Sequence, residues 1–113
     1  MIEIKLRDYL KKNLDIDVRL EKPVELPARF IKIERIKTGE QNQIGRCRFA
    51  VQSYGESLYE TIKLNEKVLC IIRDFVNVKN ISRIEIVDSY NFTDITNKRE
   101  RYQLITDIYY MEE

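Results

Sequence analysis

Residues 50–68, AVQSYGESLYETIKLNEKV, contain the change in periodicity that decides the fold of this chain. Up to Ser53 apolar and polar side chains alternate, which is typical of a strand with one buried face. From about Tyr54 to Phe75 apolar residues recur instead at steps of three and four, which predicts a long amphipathic helix. The predicted buried stripe consists of Leu58, Ile62, Asn65, Leu69 and Ile72, flanked by Leu64, Val68 and Ile71.

Ser57 lies between this strand and this helix, where some hydrolases carry a nucleophilic serine. That arrangement needs a second glycine, but Tyr59 occupies its position. It also needs a base, and the chain contains no histidine and no serine followed three residues later by lysine. Ser53 and Ser57 each begin a Ser-x-x-Glu capping box. We therefore predict a helix start with Ser53 as its N-cap, and no catalytic residue.

The composition restricts the chain to a few classes of protein. Its 113 residues suit one domain, and 43% hydrophobic with 35% charged residues is typical of soluble globular proteins. The chain has 20 Lys and Arg against 19 Asp and Glu. We therefore do not expect the strong positive electrostatic field of a dedicated duplex-DNA-binding protein. The N-terminal MIEIKLRDYL is neither a signal peptide nor a membrane span, and no membrane association is expected. Cys47 and Cys70 are predicted to be reduced and buried, as in a cytosolic product.

We expect no cofactor and no metal site. The three glycines form no phosphate-binding loop. Asp15 and Asp17 lack the remaining ligands of a calcium loop, and the acidic residues from Asp88 to Asp94 suit turn capping better than cation binding. The sequence therefore argues against a conventional enzyme.

The rest of the chain alternates periodic runs with turn-forming segments. Pro23 and Pro27 exclude a helix or a central strand in their segment. In the strand before the long helix, Cys47, Phe49 and Val51 share the inward face. The other predicted elements are a helix over 2–14 and strands over 16–20, 29–36, 44–53, 84–90 and 101–110, with polar connections over 37–45, 76–80 and 91–98. This α-β-β-β-α-β-β order predicts one two-layer α+β domain, a mostly antiparallel mixed sheet of about five strands covered on one face by two helices.

Seven tyrosines and four phenylalanines are too widely spread along the chain for all of them to lie in the predicted core. Tyr54 shares the outward face of its strand with Arg46 and Arg48, and Tyr109 lies on the opposite face from Tyr110. Tyr–Arg surfaces occur at protein interfaces and on sheets that stack single-stranded nucleic acid. Partly buried tyrosines along sheet edges are the simpler interpretation, and both remain open.

Two blocks, residues 49–68 and 89–108, carry a family resemblance. The first joins Ser-Tyr-x-x-Ser-Leu-Tyr-Glu to Leu-Asn-Glu, and the second joins a Tyr-Asn-Phe-x-Asp turn to an Arg-Tyr-Gln strand. The residues concerned are Ser53, Tyr54, Ser57, Leu58, Tyr59, Glu60, Leu64, Asn65, Glu66, Tyr90, Asn91, Phe92, Asp94, Arg101, Tyr102 and Gln103. In these blocks the chain resembles the small tail-terminator, or tail-completion, proteins of long-tailed bacteriophages and prophages, which are often described as minor capsid or head–tail connector proteins.

The resemblance implies a non-enzymatic protein of the virion tail. Such proteins form a ring, typically of six subunits, on the last ring of the tail tube, where they end its polymerisation and join tail to head. The implied partners are further copies of the chain, the major tail-tube protein and a head-completion or connector protein. DNA would only pass through the ring, without sequence-specific contact. The implied location is the head-proximal end of the tail, after assembly in the host bacterial cytoplasm.

Two polar connections, 37–45 and 91–99, are the predicted contacts with the tube or with neighbouring subunits. The candidate interface residues, which include two outward arginines, are Lys37, Glu40, Gln41, Asn42, Gln43, Arg46, Arg48, Thr93, Asn97, Lys98 and Arg99. Among the residues that carry the resemblance, we expect Leu58, Asn65 and Phe92 to serve the fold. A single-stranded nucleic-acid-binding module or another small adaptor domain is the alternative function.

Overall fold

The structure, a computed structural model, describes residues 1–21, 23–25, 27–41 and 44–111, with only the backbone of Glu40 and Gln41. These residues form two α-helices and five β-strands in the predicted α-β-β-β-α-β-β order. The elements are α1 Ile2–Leu14, β1 Asp17–Arg19, β2 Phe30–Gln41, β3 Ile44–Gly55, α2 Leu58–Asp74, β4 Ile81–Asn91 and β5 Glu100–Met111, with a 3-10 turn, Phe75–Asn77, after α2.

The strands form one mixed sheet in the order β1-β2-β3-β5-β4. β1 runs parallel to β2, and the other three neighbouring pairs are antiparallel. Apolar side chains of both helices join those of the strands in a single core on one face of the sheet. The predicted two-layer α+β fold is therefore confirmed.

The core forms because each helix and each long strand contributes apolar side chains to it. In β3 the predicted inward residues Cys47, Phe49 and Val51 are fully buried. Burial of an aliphatic or aromatic side chain of this kind contributes roughly 1.5–3 kcal/mol. The helices cover them with Leu6, Leu10, Leu64, Val68 and Ile72.

The long helix begins later than predicted. β3 continues through Gly55, and Ser57 rather than Ser53 is the N-cap of α2: its Oγ accepts a 3.2 Å hydrogen bond from the backbone N–H of Glu60. The prediction was wrong because both serines begin a capping box, and only the pairing of β3 with β2 and β5 shows where the strand ends. Gly55 permits the tight junction, since a Cβ there would lie 2.5 Å from Thr61 Oγ1.

The buried stripe of α2 is rotated from the predicted one. The buried residues are Thr61, Leu64, Asn65, Val68 and Ile72. The prediction is confirmed for Asn65 and Ile72, but Ile62 and Leu69 are only half-buried and Leu58 is 45% exposed. Apolar residues occupy a wide arc of this helix, so its sequence alone does not fix which part of the arc meets the sheet.

The predicted polar connection over 37–45 is mostly strand. β2 extends to Gln41, β3 begins at Ile44, and the two strands remain paired up to these residues. The prediction was wrong because polar residues and two glycines are typical of a loop. Here β3 pairs along its whole length with β5 on its other side, which extends the ladder. Asn42 and Gln43 lie outside the described residues.

The two cysteines have different environments. Cys47 is buried as predicted, but Cys70 is exposed on α2, so the prediction of two buried thiols is wrong for Cys70. Both are free thiols. The same rotation of α2 explains the difference, because the face that turns inward carries Val68 and Ile72 instead.

Candidate interaction surfaces

The helix-free face of the sheet brings the two sequence blocks together. Phe30, Tyr54, Arg101 and Phe92 lie side by side across it, and we call them the aromatic cluster. The rings of Phe30 and Tyr54 stack with centroids 4.2 Å apart and planes tilted by 11°. The Arg101 guanidinium lies 5.6 Å from the Tyr54 ring centroid and 4.2 Å from that of Phe92. Arg101 also donates a 3.0 Å hydrogen bond to the Tyr54 hydroxyl, so it ties the two blocks together.

The cluster changes the interpretation of Tyr54. As predicted, this residue lies on the same strand face as Arg46 and Arg48. Its side chain is only 1% exposed, however, because Phe30 and Arg101 cover it. Tyr54 is therefore not a stacking platform for a nucleobase, and of the two interpretations that the sequence left open, burial holds for this tyrosine.

The neighbouring side chains on the helix-free face, two residues further along the strands, form a polar network. Gln52 donates a 2.8 Å hydrogen bond to Oε1 of Gln103, and Gln103 donates to the hydroxyl of Tyr90. Gln52 and Gln103 are buried, whereas Tyr90 is 37% exposed. On the opposite, helix-covered face Ser53 pairs with Tyr102, where the serine is buried and the tyrosine is half-buried. These members of the two blocks contribute to the fold.

The turn between β4 and β5 is held by its own polar side chains. The buried carboxylate of Asp94 accepts hydrogen bonds from the backbone N–H and the side-chain amide of Asn97, at 3.2 and 2.9 Å. The backbone and hydroxyl of Thr93 both donate to Oδ1 of Asn91. Arg99 donates to two backbone oxygens of the connection before β2. Asn97, Thr93 and Arg99, predicted as contact residues, therefore stabilise the turn.

The helical part of the first block is divided between core and surface. Leu64 is buried, and Asn65 is 5% exposed, with its amide donating a 2.8 Å hydrogen bond to Ser89 of β4. The expectation that Asn65 serves the fold agrees with this contact. The exposed members of the block on α2 are Leu58, Tyr59, Glu60 and Glu66. Their exposure leaves them free to contact a partner.

Arg48 forms an ion pair within the sheet. Its Nε and Nη2 donate to the two carboxylate oxygens of Asp107 at 2.7 and 3.0 Å, and the Asp107 side chain is 4% exposed. These hydrogen bonds, with the positive charges of Arg48, Arg46 and Lys37, hold the pKa of Asp107 below its usual value, although burial acts in the opposite direction. Arg48 therefore serves mainly to stabilise the helix-free face through this ion pair, rather than to contact a partner.

A second group of side chains on this face forms a basic surface, which we define as Lys37, Arg46, Arg83 and Tyr109. Arg46 pairs with Tyr109 across β3 and β5, and the Arg83 guanidinium lies 5.1 Å from the Tyr109 ring centroid. Lys37 is exposed and Arg46 is half-buried. Sequence reasoning missed Arg83, because only the register of β4 on β5 brings it beside Tyr109.

The remaining candidate contact residues lie at two ends of the sheet. Lys98 is exposed in the β4–β5 turn with a left-handed backbone, φ 53°. Glu40 and Gln41 lie at the end of β2, next to Asn42 and Gln43, which are outside the described residues. The structure therefore separates the two predicted contact segments, one at each end of the long strands.

The sheet has two long open edges besides the outer side of the three-residue terminal strand β1. β1 pairs with only three residues of β2, from Phe30 to Lys32. Within residues 1–21, 23–25, 27–41 and 44–111, no strand pairs with the outer side of residues 33–41 or with the outer side of β4. We call these the β2 edge, residues 33–41, and the β4 edge, Ile81–Asn91. They lie on opposite sides of the domain and differ in sequence.

The serine that the sequence analysis considered as a nucleophile is the N-cap of α2. The Ser57 hydroxyl accepts the backbone N–H of Glu60 and so serves the helix start. In the described part of the chain, no three His, Cys, Asp or Glu side chains are grouped so that they could hold a metal ion. No helix there is both long enough and apolar enough to cross a membrane.

Comparison with known proteins assigns no family. No protein-family model matches the chain, and no curated protein matches its sequence. A function therefore rests on the two sequence blocks and on the geometry of the sheet.

Proposed function

We propose that the protein is a non-enzymatic structural component of a phage or prophage tail, which forms a ring on the tail tube, ends its polymerisation and joins tail to head. The observation that carries this proposal is the pair of unlike open edges on opposite sides of one sheet. The resemblance of residues 49–68 and 89–108 to tail terminators supports it. Both blocks meet in the aromatic cluster, where Arg101 contacts Tyr54 and Phe92.

Unlike edges suit a ring for a geometric reason. A single self-complementary patch produces a two-fold dimer, whereas two different patches repeat in one direction and close into a ring at the right rotation. Open strand edges bind further strands through backbone hydrogen bonds. Joining the β2 edge of one copy to the β4 edge of the next therefore pairs both of these edges in a closed assembly.

The proposed contact with the tube or the head lies at one end of the strands. Leu58 and Tyr59 begin α2 directly after the end of β3, and Tyr59 is 70% exposed. Ile95, 86% exposed, lies in the β4–β5 turn, which Arg99 joins to this end through a hydrogen bond to Gly55 O. Exposed apolar side chains grouped in this way are typical of protein contact sites. The proposed partners are the major tail-tube protein and a head-completion or connector protein, in the virion and in the host cytoplasm during assembly.

Tube capping tests this function directly. Tail-tube protein from the same phage or prophage is polymerised with and without the purified protein, and tube lengths and ends are measured by electron microscopy. We expect shorter tubes whose ends carry an additional ring. The double variant Tyr59→Glu, Ile95→Glu should lose capping, whereas the exposed α1 variant Lys12→Glu should retain it. Unchanged tube lengths, with no wild-type protein sedimenting with the tubes, would contradict the proposal.

A second candidate, binding of single-stranded nucleic acid, is favoured by the basic surface. Arg46 and Arg83 flank the ring of Tyr109, and this combination of cations and an aromatic ring suits a stacked, charged chain. Fluorescence anisotropy with a labelled oligonucleotide should then show binding that weakens steeply with salt. The variant Arg46→Ala, Arg83→Ala should lose it, and Lys11→Ala, Lys12→Ala, which removes equal charge from α1, should keep it. Absence of binding at low salt would exclude this candidate.

A further inference from the structure

Each open edge of the sheet contains a bulge with an exposed apolar residue, and the β4 edge contains a further bulge at Ser82. The register of β2 on β3 skips Ile36, and the register of β4 on β5 skips Val87. Ile36 is 52% exposed and Val87 is 46% exposed. Bulges on free edges usually discourage pairing, together with charged residues or proline. The exposed residues at these two bulges are β-branched and apolar, which favours strand structure and is typical of a contact site.

The two bulges lie at nearly the same level of the sheet. One row of paired residues crosses β2, β3, β5 and β4 through Arg35, Phe49, Thr106 and Ile86. Ile36 directly follows the first residue of this row, and Val87 directly follows the last. A rotation about an axis close to the strand direction moves this level by only a few residues, so it brings the bulge of one copy close to the bulge of the next.

The strand directions allow an antiparallel joint. Three antiparallel pairings separate β2 from β4, so these two strands run in opposite directions within one copy. The same rotation therefore sets the β4 edge of one copy antiparallel to the β2 edge of its neighbour. Antiparallel edge pairing forms a regular hydrogen-bond ladder.

The charges beside the bulges select a register. Lys37 follows Ile36, Asp88 follows Val87, and both charged residues are exposed on the helix-free face. A joint without stagger would set Glu34 of one copy opposite Asp88 of the other, which repels. It would also set Lys37 opposite Glu85, whose carboxylate is already paired with Arg83. A stagger of two rows, which keeps every side chain on its own face of the sheet, sets Lys37 opposite Asp88 instead, and Glu34 then faces Tyr90. A ring with this stagger closes when the strands tilt relative to the ring axis, as the strands of a barrel do.

We propose that copies of this chain join through antiparallel pairing of the β2 edge with the β4 edge of the next copy, with Lys37 opposite Asp88. Ile36 and Val87 then lie on either side of this ion pair and shield it from water. The inference rests on the proposed ring and names the surfaces that build it. The attraction between Lys37 and Asp88 strengthens the joint, and it also favours this register over registers that set like charges opposite each other.

A charge exchange tests this joint. Lys37→Asp and Asp88→Lys should each weaken self-association at least about tenfold, because each sets like charges against each other, and the double variant should restore it. Self-association is measured by sedimentation velocity for the free protein and by electron microscopy of rings on tail tubes. Lys11→Asp on α1 is the matched control and should leave both unchanged. Wild-type behaviour of the single variants, or no recovery in the double variant, would overturn the inference.

Cysteine cross-linking gives an independent measurement, because it reports which residues are close together without weakening the joint between copies. Protein with Ile36→Cys is mixed with protein carrying Val87→Cys, both in a Cys70→Ser background, and an oxidant is added. We expect disulfides between position 36 of one copy and position 87 of another. Disulfides joining 36 to 36 or 87 to 87 would show two-fold edge pairing and overturn the inference.

The outcomes separate this inference from the proposed function. Tube capping that survives both single charge reversals would overturn the edge joint and leave the tail function standing. Recovery by the charge exchange, without any capping by the wild type, would support the joint and overturn the tail function. Absence of both self-association and tube binding in the wild type would overturn both.

Discussion

The two faces of the sheet bury large side chains by different means. On the helix-covered face Phe49 is fully buried beneath α1 and α2, within a core of aliphatic residues. On the helix-free face Phe30 and Tyr54 are buried just as fully, although neither belongs to the core that the helices share. Each ring covers one side of the other, and Arg101, whose side chain is 16% exposed, lies against the Tyr54 ring.

The difference shows that an arginine side chain can shield aromatic rings from water where they lie outside the helix-packed core. Arg101 lies over the rings of Tyr54 and Phe92 and donates hydrogen bonds to the Tyr54 hydroxyl and to Phe92 O. Ordering this long side chain costs conformational entropy, which the cation–π contacts and charge-assisted hydrogen bonds offset. The result is a face that is locally closed at one end and open to partners at the other.

The largest expected effect compares one buried ring from each face. Phe49→Ala should lower the free energy of unfolding by about 3–5 kcal/mol, because the helices and strands around it relax only partly into the cavity. Tyr54→Ala should cost less, about 2–3 kcal/mol, because its cover is a side chain that can move. Urea denaturation followed by circular dichroism measures both. An equal or larger loss for Tyr54→Ala would remove the distinction between the faces.

The next effect isolates the polar part of the aromatic cluster. Tyr54→Phe keeps the stacked ring but removes the hydroxyl that accepts from Arg101, and should cost about 1 kcal/mol. Combined with Arg101→Met, which keeps a long apolar side chain, it should show a coupling of roughly 0.5–1.5 kcal/mol in a double-mutant cycle. Additive losses would mean that Arg101 acts on this face only through its apolar stem.

The junction of β3 with α2 provides a test of similar size on the helix-covered side. Ser57→Ala should destabilise the protein by about 1 kcal/mol, because the N–H of Glu60 loses its cap. Ser53→Ala should change stability by less than about 0.5 kcal/mol, since the Ser53 hydroxyl has no hydrogen-bond partner within the described residues. The reverse order of the two losses would show that the helix starts at Ser53, as the sequence first suggests.

The smallest effect concerns the charges of the helix-free face. Because hydrogen bonds from Arg48 lower the pKa of Asp107 below its ordinary 3.8, this pair stabilises the fold fully above that pH. The contribution is lost as the pH falls from there through the folded pKa, where the carboxylate becomes protonated. Urea midpoints measured between pH 6 and pH 2.5 should therefore fall more steeply for the wild type than for Arg48→Met. Parallel curves for the two proteins would contradict the assignment.

Predictions from the sequence succeeded where the pattern reports local geometry. The inward set of β3, Cys47, Phe49 and Val51, follows from simple alternation and is confirmed. Asn65 is buried as predicted, because its hydrogen bond to Ser89 satisfies the side-chain amide nitrogen. The two blocks also identified Tyr54 and Arg101 as residues of interest, although not the contact between them.

Predictions failed where contacts between distant parts of the chain override the local sequence pattern. Ser53 and Ser57 carry the same capping signal, and strand pairing of β3 decides between them. The polar composition of residues 37–41 suggested a loop, but pairing with β3 makes it strand. The bulges at Ile36 and Val87 have no local signal, because each is defined only by the register of its neighbouring strand.

The order of helices and strands, and the choice of inward residues within strands, were determined by the sequence itself, because periodicity expresses the backbone geometry of each element. Three features were decided only by the tertiary structure: the length of the β2–β3 ladder, the arc of α2 that is buried, and the cover over Tyr54. Each depends on hydrogen bonds or packing between residues far apart in the chain. A local pattern cannot weigh such contacts, since their free energy exists only once the sheet has formed.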